Sequence, residues 1–415
     1  MNMGLLRNQT LAIIGQGYVG LPLAMAAVDS GWSVIGVDNS ESKVAQINSG
    51  SSPVEDVLDI QLKSALQLGV YKATSDFSSV SQAAVIAICV PTPLNELREP
   101  DLELLRNAVT QVAPFLSDES LLVSESTSYP GTLREVVLPI VNSLKPLESP
   151  KIYFASAPER VNPGDRLWNQ KNTPRLVGGI DSESQTRALS FYNSICDEVV
   201  SVSTPEVAES AKLLENTFRL VNIAFINEFT QICSEIGLSV NEVIDAASTK
   251  PYGFMPFRPG VGVGGHCIPV DPLYFTWWAR QKGKQAKFVE AADQINREAP
   301  EYISQRAMEL VDPSILKPRV LILGVSYKSG LSDVRETPVS ELSDCLELRG
   351  CLVAWHDPLV KVWKESKSVD IDWQCDIAIL ATNQPGMNIE RLIEAGIQIL
   401  DCTNSQIDYA RLVRL

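Results

Sequence analysis

In residues 1–160, short apolar runs alternate with stretches whose apolar positions recur every three or four residues. Leu11–Ile14, Val34–Val37, Val85–Val90, Leu121–Ser124 and Ile152–Ala155 are near-continuous apolar runs bounded by Gly, Pro, Ser or Asp. Runs of that length predict strands buried on both faces. Leu21–Ser30 and Leu102–Phe115 carry helical periodicity, so the segment predicts repeated βαβ units and a mainly parallel sheet. Residues 161–203 are expected to close that domain.

The period changes at Thr204-Pro205-Glu206, where a hydroxyl cap, a Pro at the first helical position and an acid in the first turn mark a helix start. Nothing interrupts the stretch before Gly237, which predicts one helix of about 32 residues, roughly 48 Å long. Further helices are expected over Leu273–Lys282 and Ala286–Val311, the latter kinked or divided at Pro300. Pro313 and Pro318 mark a linker. Strand–helix alternation then returns, with apolar runs at Val320–Leu323, Leu352–Trp355, Ile377–Ala381 and Ile397–Leu400.

The first strand of each half ends in glycine (Gly15, Gly324) and the second in aspartate (Asp38, Asp357). This weak internal repeat predicts an α/β chain: two Rossmann-like doubly wound domains joined by a helical central domain with a long spine helix. The expected divisions are residues 1–203, 204–312 and 313–415.

Charge and composition narrow the function. Thirty-five Lys and Arg face fifty Asp and Glu, a net charge of −15 with no basic block, which argues against a nucleic-acid partner. An anionic substrate would need a local basic cluster. The two histidines, His266 and His356, exclude a three-histidine metal site, and no metal is expected. Eight cysteines contain no CxxC, a pattern read as reduced thiols of a cytoplasmic enzyme. Leu11–Val28 imitates a signal peptide or membrane span, but Gln16, Pro22 and three glycines interrupt it. No targeting segment and no membrane association are expected.

Those glycines have a chemical reading. Gly15-Gln16-Gly17-Tyr18-Val19-Gly20 follows a predicted strand and opens a predicted helix. The first glycine permits the tight turn, the second lets backbone approach a pyrophosphate, and the third lets helix and strand pack closely. Asp38 ends the next strand, where a carboxylate accepts bonds from ribose hydroxyls, and no Arg follows closely to hold a 2′-phosphate. The motif therefore predicts NAD rather than NADP.

Lys212 and Asn216 fall one turn apart on one face of the long helix. Two readings stand: a Lys that snorkels or pairs with Glu209 or Glu215, or a Lys–Asn pair that orients an oxyanion or a water. Pro259–Pro272 holds Gly260, Gly262, Gly264 and Gly265, too many glycines for regular structure, and then Cys267 and Asp271. Cys267 is placed like a nucleophile, the bland alternative being a small buried hydrophobe. Adjacent side chains seldom converge, so His266 is read as structural. In the last domain Lys328 and Arg335 flank a strand-to-helix turn and suit a phosphate, or form surface salt bridges with Asp333 and Glu336.

Further short segments complete an ordered set that spans nearly the whole chain. These are Cys89-Val90-Pro91-Thr92-Pro93, Ser126-Thr127 with Pro130-Gly131-Thr132, and Ala157-Pro158-Glu159-Arg160. Together with Gly15–Gly20, Ala211-Lys212-Leu213 and Asn216, Gly264-Gly265-His266-Cys267 and Asp271, and Tyr327-Lys328 with Asp333 and Arg335-Glu336, the set resembles the UDP-glucose/GDP-mannose dehydrogenase family. The resemblance implies NAD-dependent, four-electron oxidation of a nucleotide sugar at C6 to the uronic acid. Lys212, Asn216 and Asp271 match positions serving proton transfer, oxyanion stabilisation and water orientation. Cys267 matches the residue that captures the aldehyde as a thiohemiacetal and then carries the thioester, which water placed by Glu159 with Thr127 hydrolyses.

On the cofactor side the resemblance implies Gly15, Gly17, Tyr18, Val19, Gly20, Asp38, Lys43, Pro91, Thr92, Thr127 and Arg335. On the substrate side it implies Glu159, Arg160, Lys212, Asn216, Arg258, Gly264, Tyr327 and Lys328. His266 stands where some members carry Ser, and Arg160-Val161-Asn162-Pro163 differs from the animal enzymes' version. Thr249–Gly260 resembles the branch acting on UDP-N-acetylhexosamines, most closely the bacterial N-acetylglucosamine 6-dehydrogenases, with UDP-glucose or UDP-N-acetylmannosamine as alternative substrates. Phe254, Met255 and Phe257 could contact an acetamido methyl or merely pack the loop, and Arg258 could reach a sugar hydroxyl or phosphate. The apolar face of the long helix (Leu220, Ile223, Ile226) suits a homodimer or higher homo-oligomer as well as a core.

Two other readings use similar folds. A β-hydroxyacid dehydrogenase needs neither Cys267 nor a third domain, and a non-catalytic nucleotide-sugar sensor needs none of the chemical residues. NADH yield separates them: two per sugar, one, or none.

Overall fold

All five apolar runs of the first 160 residues become strands, and three more strands join them in one sheet. They are β1 (Thr10–Ile14), β2 (Ser33–Val37), β3 (Tyr71–Thr74), β4 (Val85–Ile88), β5 (Leu121–Ser124), β6 (Tyr153–Ser156), β7 (Arg175–Gly179) and β8 (Val199–Ser201). The computed structural model describes residues 9–145, 151–161, 167–403, 405, 407 and 409–415. These divide into two compact units, the first ending at Glu215 and the second starting at Asn216. Asn162 and Pro163, noted above, lie outside the described residues.

The sheet order is β3-β2-β1-β4-β5-β6-β7-β8, with neighbours parallel except β6 against β7. Ile14 of β1 pairs with Val37 on one side and Ile88 on the other. The order reverses between β1 and β4, and in doubly wound sheets ligands bind in the crevice that opens there, at the carboxyl ends of the strands. Helices α1 (Gly20–Asp29), α2 (Glu41–Asn48), α3 (Asp59–Gln67), α4 (Glu103–Val112), α5 (Leu138–Leu144) and α6 (Ser182–Tyr192) complete the unit. α4 buries Leu105, Ala108, Val109 and Val112, a stripe with helical spacing. Leu11, Ile13, Leu21, Leu23 and Val34 belong to the main core, which explains the apolar start of the chain without a membrane. Among the described residues no helix is long and apolar enough to cross one.

The spine helix α7 runs from Pro205 to Glu235, 31 residues. It stops where expected: Gly237 takes a φ of 71°, and Leu238 N–H returns to the Cys233 carbonyl at 2.9 Å, a glycine C-cap. Leu220 and Ile226 of its apolar face are core residues. Its exposed apolar residues are instead Val207, Leu214, Phe218, Phe225 and Ile232.

In the second unit α8 (Val240–Ser248), α9 (Asp271–Gln281) and α10 (Lys287–Glu309) follow. Pro300 lies inside α10 without dividing it. The second sheet has the order β10-β9-β13-β14-β15 and is parallel throughout. Its strands are β9 (Arg319–Leu323), β10 (Leu352–His356), β13 (Ile377–Leu380), β14 (Gln398–Asp401) and β15 (Leu412–Arg414), with a small hairpin β11 (Val362–Trp363) and β12 (Ser366–Lys367). Helices α11 (Val339–Leu348) and α12 (Glu390–Glu394) complete it.

The internal repeat holds in detail. Gly15 N–H donates to the Val37 carbonyl at 2.7 Å, and Gly324 N–H to the His356 carbonyl at 2.9 Å. Asp38 Oδ2 accepts the Gln16 N–H at 2.9 Å, and Asp357 Oδ2 the Val325 N–H at 2.9 Å. The two aspartates then diverge. Asp357 Oδ1 also accepts the N–H groups of Leu359 and Val360, and Gln384 Nε2 donates to its Oδ2 at 3.3 Å. That carboxylate is committed to holding its own turn, which agrees with the absence of a second GxGxxG.

Candidate active site

The glycine turn of the first unit fits a dinucleotide. A Cβ on Gly20 would stand 1.9 Å from the Gly15 carbonyl oxygen, so no larger residue fits where α1 meets β1. A Cβ on Gly17 would meet nothing within 4 Å, an open approach of the kind a pyrophosphate needs at a helix N-terminus. Asp38 is buried at the end of β2 and accepts from Gln16 N–H at 2.9 Å, Ser40 N–H at 3.0 Å and Lys43 Nζ at 2.8 Å. A carboxylate has about four acceptor positions, which leaves one for a ribose hydroxyl. Between the signature glycines, Gln16 turns inward, donating to the Ile13 carbonyl and accepting from the Tyr71 hydroxyl at 2.8 Å. Tyr18 points the other way, its hydroxyl donating to Glu55 at 3.0 Å.

The neighbouring strand ends bring the next candidates together. Thr92 is buried, and its hydroxyl donates to the Thr127 carbonyl at 2.6 Å, joining the segments after β4 and β5. Pro91 beside it is exposed. Glu159 is partly buried after β6, and its carboxylate accepts the Val161 N–H. Arg160 grips Glu215 of α7, with Nη2 at 2.6 Å and Nε at 3.2 Å, and donates to the Pro174 carbonyl at 2.8 Å.

Beneath this rim lies a charged cluster that the sequence reading missed. Glu125 and Arg175 are both buried, with Arg175 Nη1 donating to Glu125 Oε2 at 2.9 Å and the Tyr192 hydroxyl to Oε1 at 2.5 Å. Burial is the strongest single influence on Arg175 and works against its charge, but Glu125 together with Tyr192, Cys196 and Glu159 outweighs it and keeps the guanidinium protonated. Arg175 also reaches the Ala157 carbonyl at 3.3 Å, and the Glu125 carbonyl accepts the Glu159 N–H at 3.3 Å. The pair thus holds the backbone that presents Glu159. The available signal was a charge at the edge of each of two otherwise apolar runs, which must be paired if buried.

Glu209, named above only as a partner for Lys212, holds a second turn. It is buried on α7, and its carboxylate accepts the N–H groups of Gly131 at 2.7 Å and Leu133 at 3.1 Å. Burial pushes its pKa up to about 8, against the pull of those two donors. Glu209 thus engages this turn, and Glu215 engages Arg160. Lys212 itself is buried on α7.

In the second unit Asn216 Nδ2 donates to Asp271 Oδ2 at 2.5 Å, uniting two of the candidate residues. Asp271 is buried at the start of α9, and its N–H donates to the Cys267 carbonyl at 2.8 Å. Of the eight cysteines Cys267 alone is exposed. Burial pushes the thiols of Cys89, Cys196, Cys351 and Cys402 up, away from reactivity. His266 has its pKa lowered by burial and then by the Arg335 charge, so it is neutral at pH 7 and brings no positive charge to Cys267.

The glycine loop is shaped by Tyr327. A Cβ on Gly264 would stand 2.7 Å from Tyr327 Cβ, and one on Gly265 2.7 Å from its ring. Gly265 N–H also donates to the Arg335 carbonyl at 3.1 Å. The Arg335 guanidinium binds Asp333, with Nη2 at 2.6 Å, the salt-bridge alternative raised above. Lys328 lies next to Tyr327 on the same turn, where Tyr327 N–H donates to the Asp333 carbonyl at 3.2 Å. Arg258 donates to Asn241 and pairs with Asp245 of α8. Phe257 packs edge-on against Phe218, 5.9 Å between ring centroids, whereas Phe254 and Met255 are exposed. Among the described residues no group of three or more His, Cys, Asp or Glu is placed to hold a metal ion.

Family models match the chain in three consecutive segments. Within the UDP-glucose/GDP-mannose dehydrogenase family, the NAD binding domain matches residues 9–196, the central domain 206–298 and the UDP binding domain 321–396. The chain is 36% identical over 354 residues to a UDP-N-acetyl-D-mannosamine dehydrogenase of Methanococcus maripaludis strain C7, covering 84% of this chain and 79% of that protein. It is 33% identical over 360 residues to a UDP-N-acetyl-D-glucosamine 6-dehydrogenase of Pseudomonas aeruginosa, covering 86% and 84%. Among solved structures, a UDP-D-ManNAc dehydrogenase from Pyrococcus horikoshii superposes with a TM-score of 0.87 at 29% identity, over 98% of each chain.

Proposed function

Because the chain belongs to the UDP-glucose/GDP-mannose dehydrogenase family, an NAD-dependent group of nucleotide-sugar oxidoreductases, we propose that it oxidises a UDP-N-acetylhexosamine at C6 to the uronic acid. The observation that carries the proposal is the exposed Cys267 at the foot of α9, beside the hydrogen-bonded pair Asn216 and Asp271. NAD, which the Gly15–Gly20 turn and Asp38 would hold, would supply the hydride acceptor, one molecule for each of the two oxidations. In the first, Lys212 with Asn216 and Asp271 takes the hydroxyl proton as C6 becomes an aldehyde. An aldehyde has no hydride to lose until it gains a tetrahedral centre, and the Cys267 thiolate supplies one by adding to C6. Lys212 and Asn216 stabilise the oxyanion until the second oxidation leaves a thioester. Water positioned by Glu159 and Thr127 then hydrolyses it, releasing the carboxylate and returning the thiol.

The same reading assigns Gly15, Gly17, Tyr18, Val19, Gly20, Asp38, Lys43, Pro91, Thr92 and Arg335 to the cofactor. It assigns Arg160, Arg258, Gly264, Tyr327 and Lys328 to the nucleotide sugar. It divides the chain into an NAD-binding domain (1–203), a helical domain (204–312) and a nucleotide-sugar domain (313–415). Exposed Leu214, Phe218, Phe225 and Ile232 recur along one face of α7 and support a homodimer, and the reduced-thiol pattern supports a cytoplasmic setting.

Asp38 repels a 2′-phosphate, and its Lys43 contact offsets only part of that. NAD should therefore exceed NADP in kcat/KM by at least about tenfold, roughly 1.4 kcal/mol. Asp38→Ser leaves Lys43 in place and should erode the preference; equal kcat/KM for the two cofactors in the unaltered protein would overturn this role of Asp38.

For the sugar, the relatives named above favour the N-acetylmannosamine epimer over the N-acetylglucosamine that the sequence reading placed first. A methyl-sized contact discriminates by about 1–3 kcal/mol, so UDP-glucose should be oxidised slowly rather than refused. Initial rates with UDP-N-acetylmannosamine, UDP-N-acetylglucosamine and UDP-glucose at saturating NAD test the proposal. A clear preference for UDP-glucose would overturn the N-acetylhexosamine assignment.

A further inference from the structure

Pro300 sits inside α10, where its missing N–H leaves the carbonyl of Asn296, one turn earlier, without a helical donor. That carbonyl lies against the loop that leads to Cys267: a Cβ on Gly262 would stand 2.8 Å from it, and Gly262 has a φ of +133° that favours glycine. The Asn296 side chain serves the same loop. Its Nδ2 donates to the Leu220 carbonyl of α7 at 3.1 Å, and its Oδ1 accepts from Asn227 Nδ2 at 3.1 Å. Asn227 Oδ1 in turn accepts the Gly260 N–H at 3.0 Å.

Both amides are buried. Because Gly260 can only donate and the Leu220 carbonyl only accept, the relay has a single direction, and each amide a single orientation. Val263 and Ile268, on either side of the remaining glycines, pack with Leu220, Ala224, Val289 and Ala292 of α7 and α10. The far end of the loop is held separately, by the Gly265 bond to the Arg335 carbonyl.

We propose that the Asn227–Asn296 amide pair, together with the carbonyl freed by Pro300, anchors the glycine loop and so sets the position of the Cys267 thiol. The two asparagines are positioning residues, and the proposal rests on the reading of Cys267 as the nucleophile. A loop this rich in glycine has the backbone freedom to wander once its entry is released. Misplacing a reacting group by about an ångström costs on the order of a hundredfold in rate.

The test uses the full-length protein with Asn227→Leu, which keeps the bulk and removes both bonds. Its companion is Asn227→Asp, which keeps the acceptor for Gly260 and, when protonated, the donor for Asn296. Iodoacetamide alkylation of Cys267 is followed by peptide mass, alongside kcat and KM for UDP-N-acetylmannosamine and NAD and the thermal midpoint. In Asn227→Leu the alkylation rate and kcat should each fall tenfold or more, with both KM values within threefold and the buried cysteines still unmodified. Asn227→Asp, expressed as a ratio to the unaltered protein at each pH, should recover as the pH is lowered and the new carboxyl protonates. This second variant decides the matter if the leucine variant does not fold. An alkylation rate within twofold of the unaltered protein in a folded variant overturns the anchor, whatever turnover does. Slowed alkylation with unchanged turnover upholds the anchor and overturns the catalytic role of Cys267.

Discussion

Cys267→Ser is expected to lose net four-electron oxidation, with the NADH yield falling from two per sugar to one or fewer. A serine hydroxyl without an adjacent base is a poor nucleophile, whereas a free thiol titrates near pH ~8.5 and reaches the thiolate readily. If the serine does add to the aldehyde, the second oxidation yields an oxygen ester, which hydrolyses more slowly than a thioester. Either free aldehyde, captured by a hydrazine reagent, or an ester adduct in intact-mass analysis should therefore accumulate. Steady production of the uronic acid at a near-normal rate would show that Cys267 is structural.

The second large effect is on folding. Arg175→Met should destabilise the protein by about 3–5 kcal/mol, because it strands the Glu125 carboxylate in the core with only the Tyr192 hydroxyl for company. The cost comes from the uncompensated charge rather than from lost attraction. Adding Glu125→Leu to Arg175→Met should accordingly restore much of the loss, since a buried pair replaced by apolar groups of similar size is often near neutral. Urea unfolding of the two variants beside the unaltered protein reads this directly. An unchanged transition in Arg175→Met would show that the pair is not an ion pair in solution. Activity is a separate matter: the double variant lacks the bond from Arg175 to the Ala157 carbonyl, so kcat should stay low even where stability returns.

Much of this protein is written in local pattern. The strands β1, β2, β4, β5 and β6 are apolar runs, α7 starts and stops at its Thr204-Pro205 and Gly237 signals, and the glycine turn announces its strand and helix. Such features are legible because backbone geometry repeats every two or 3.6 residues and its punctuation is chemical: a proline without an N–H, a glycine that tolerates positive φ. The candidate nucleophile was legible for the same reason, since Cys267 closes a segment that no regular element can use.

Other features required the fold. That β7 runs antiparallel to β6 is written in the local pattern of neither segment. The partner of Glu125 lies 50 positions away at Arg175, and that of Glu209 is the backbone of Gly131 and Leu133. Arg258 takes its ion-pair partner, Asp245, from α8. Pro300 does not divide its helix, and the carbonyl it frees faces Gly262, a partner no local pattern names. The physical reason is common to all of these. Periodicity states which face of an element is buried, but a buried charge or an open carbonyl takes its partner from whatever packing brings within about 3 Å, and that choice is made between segments distant in the chain.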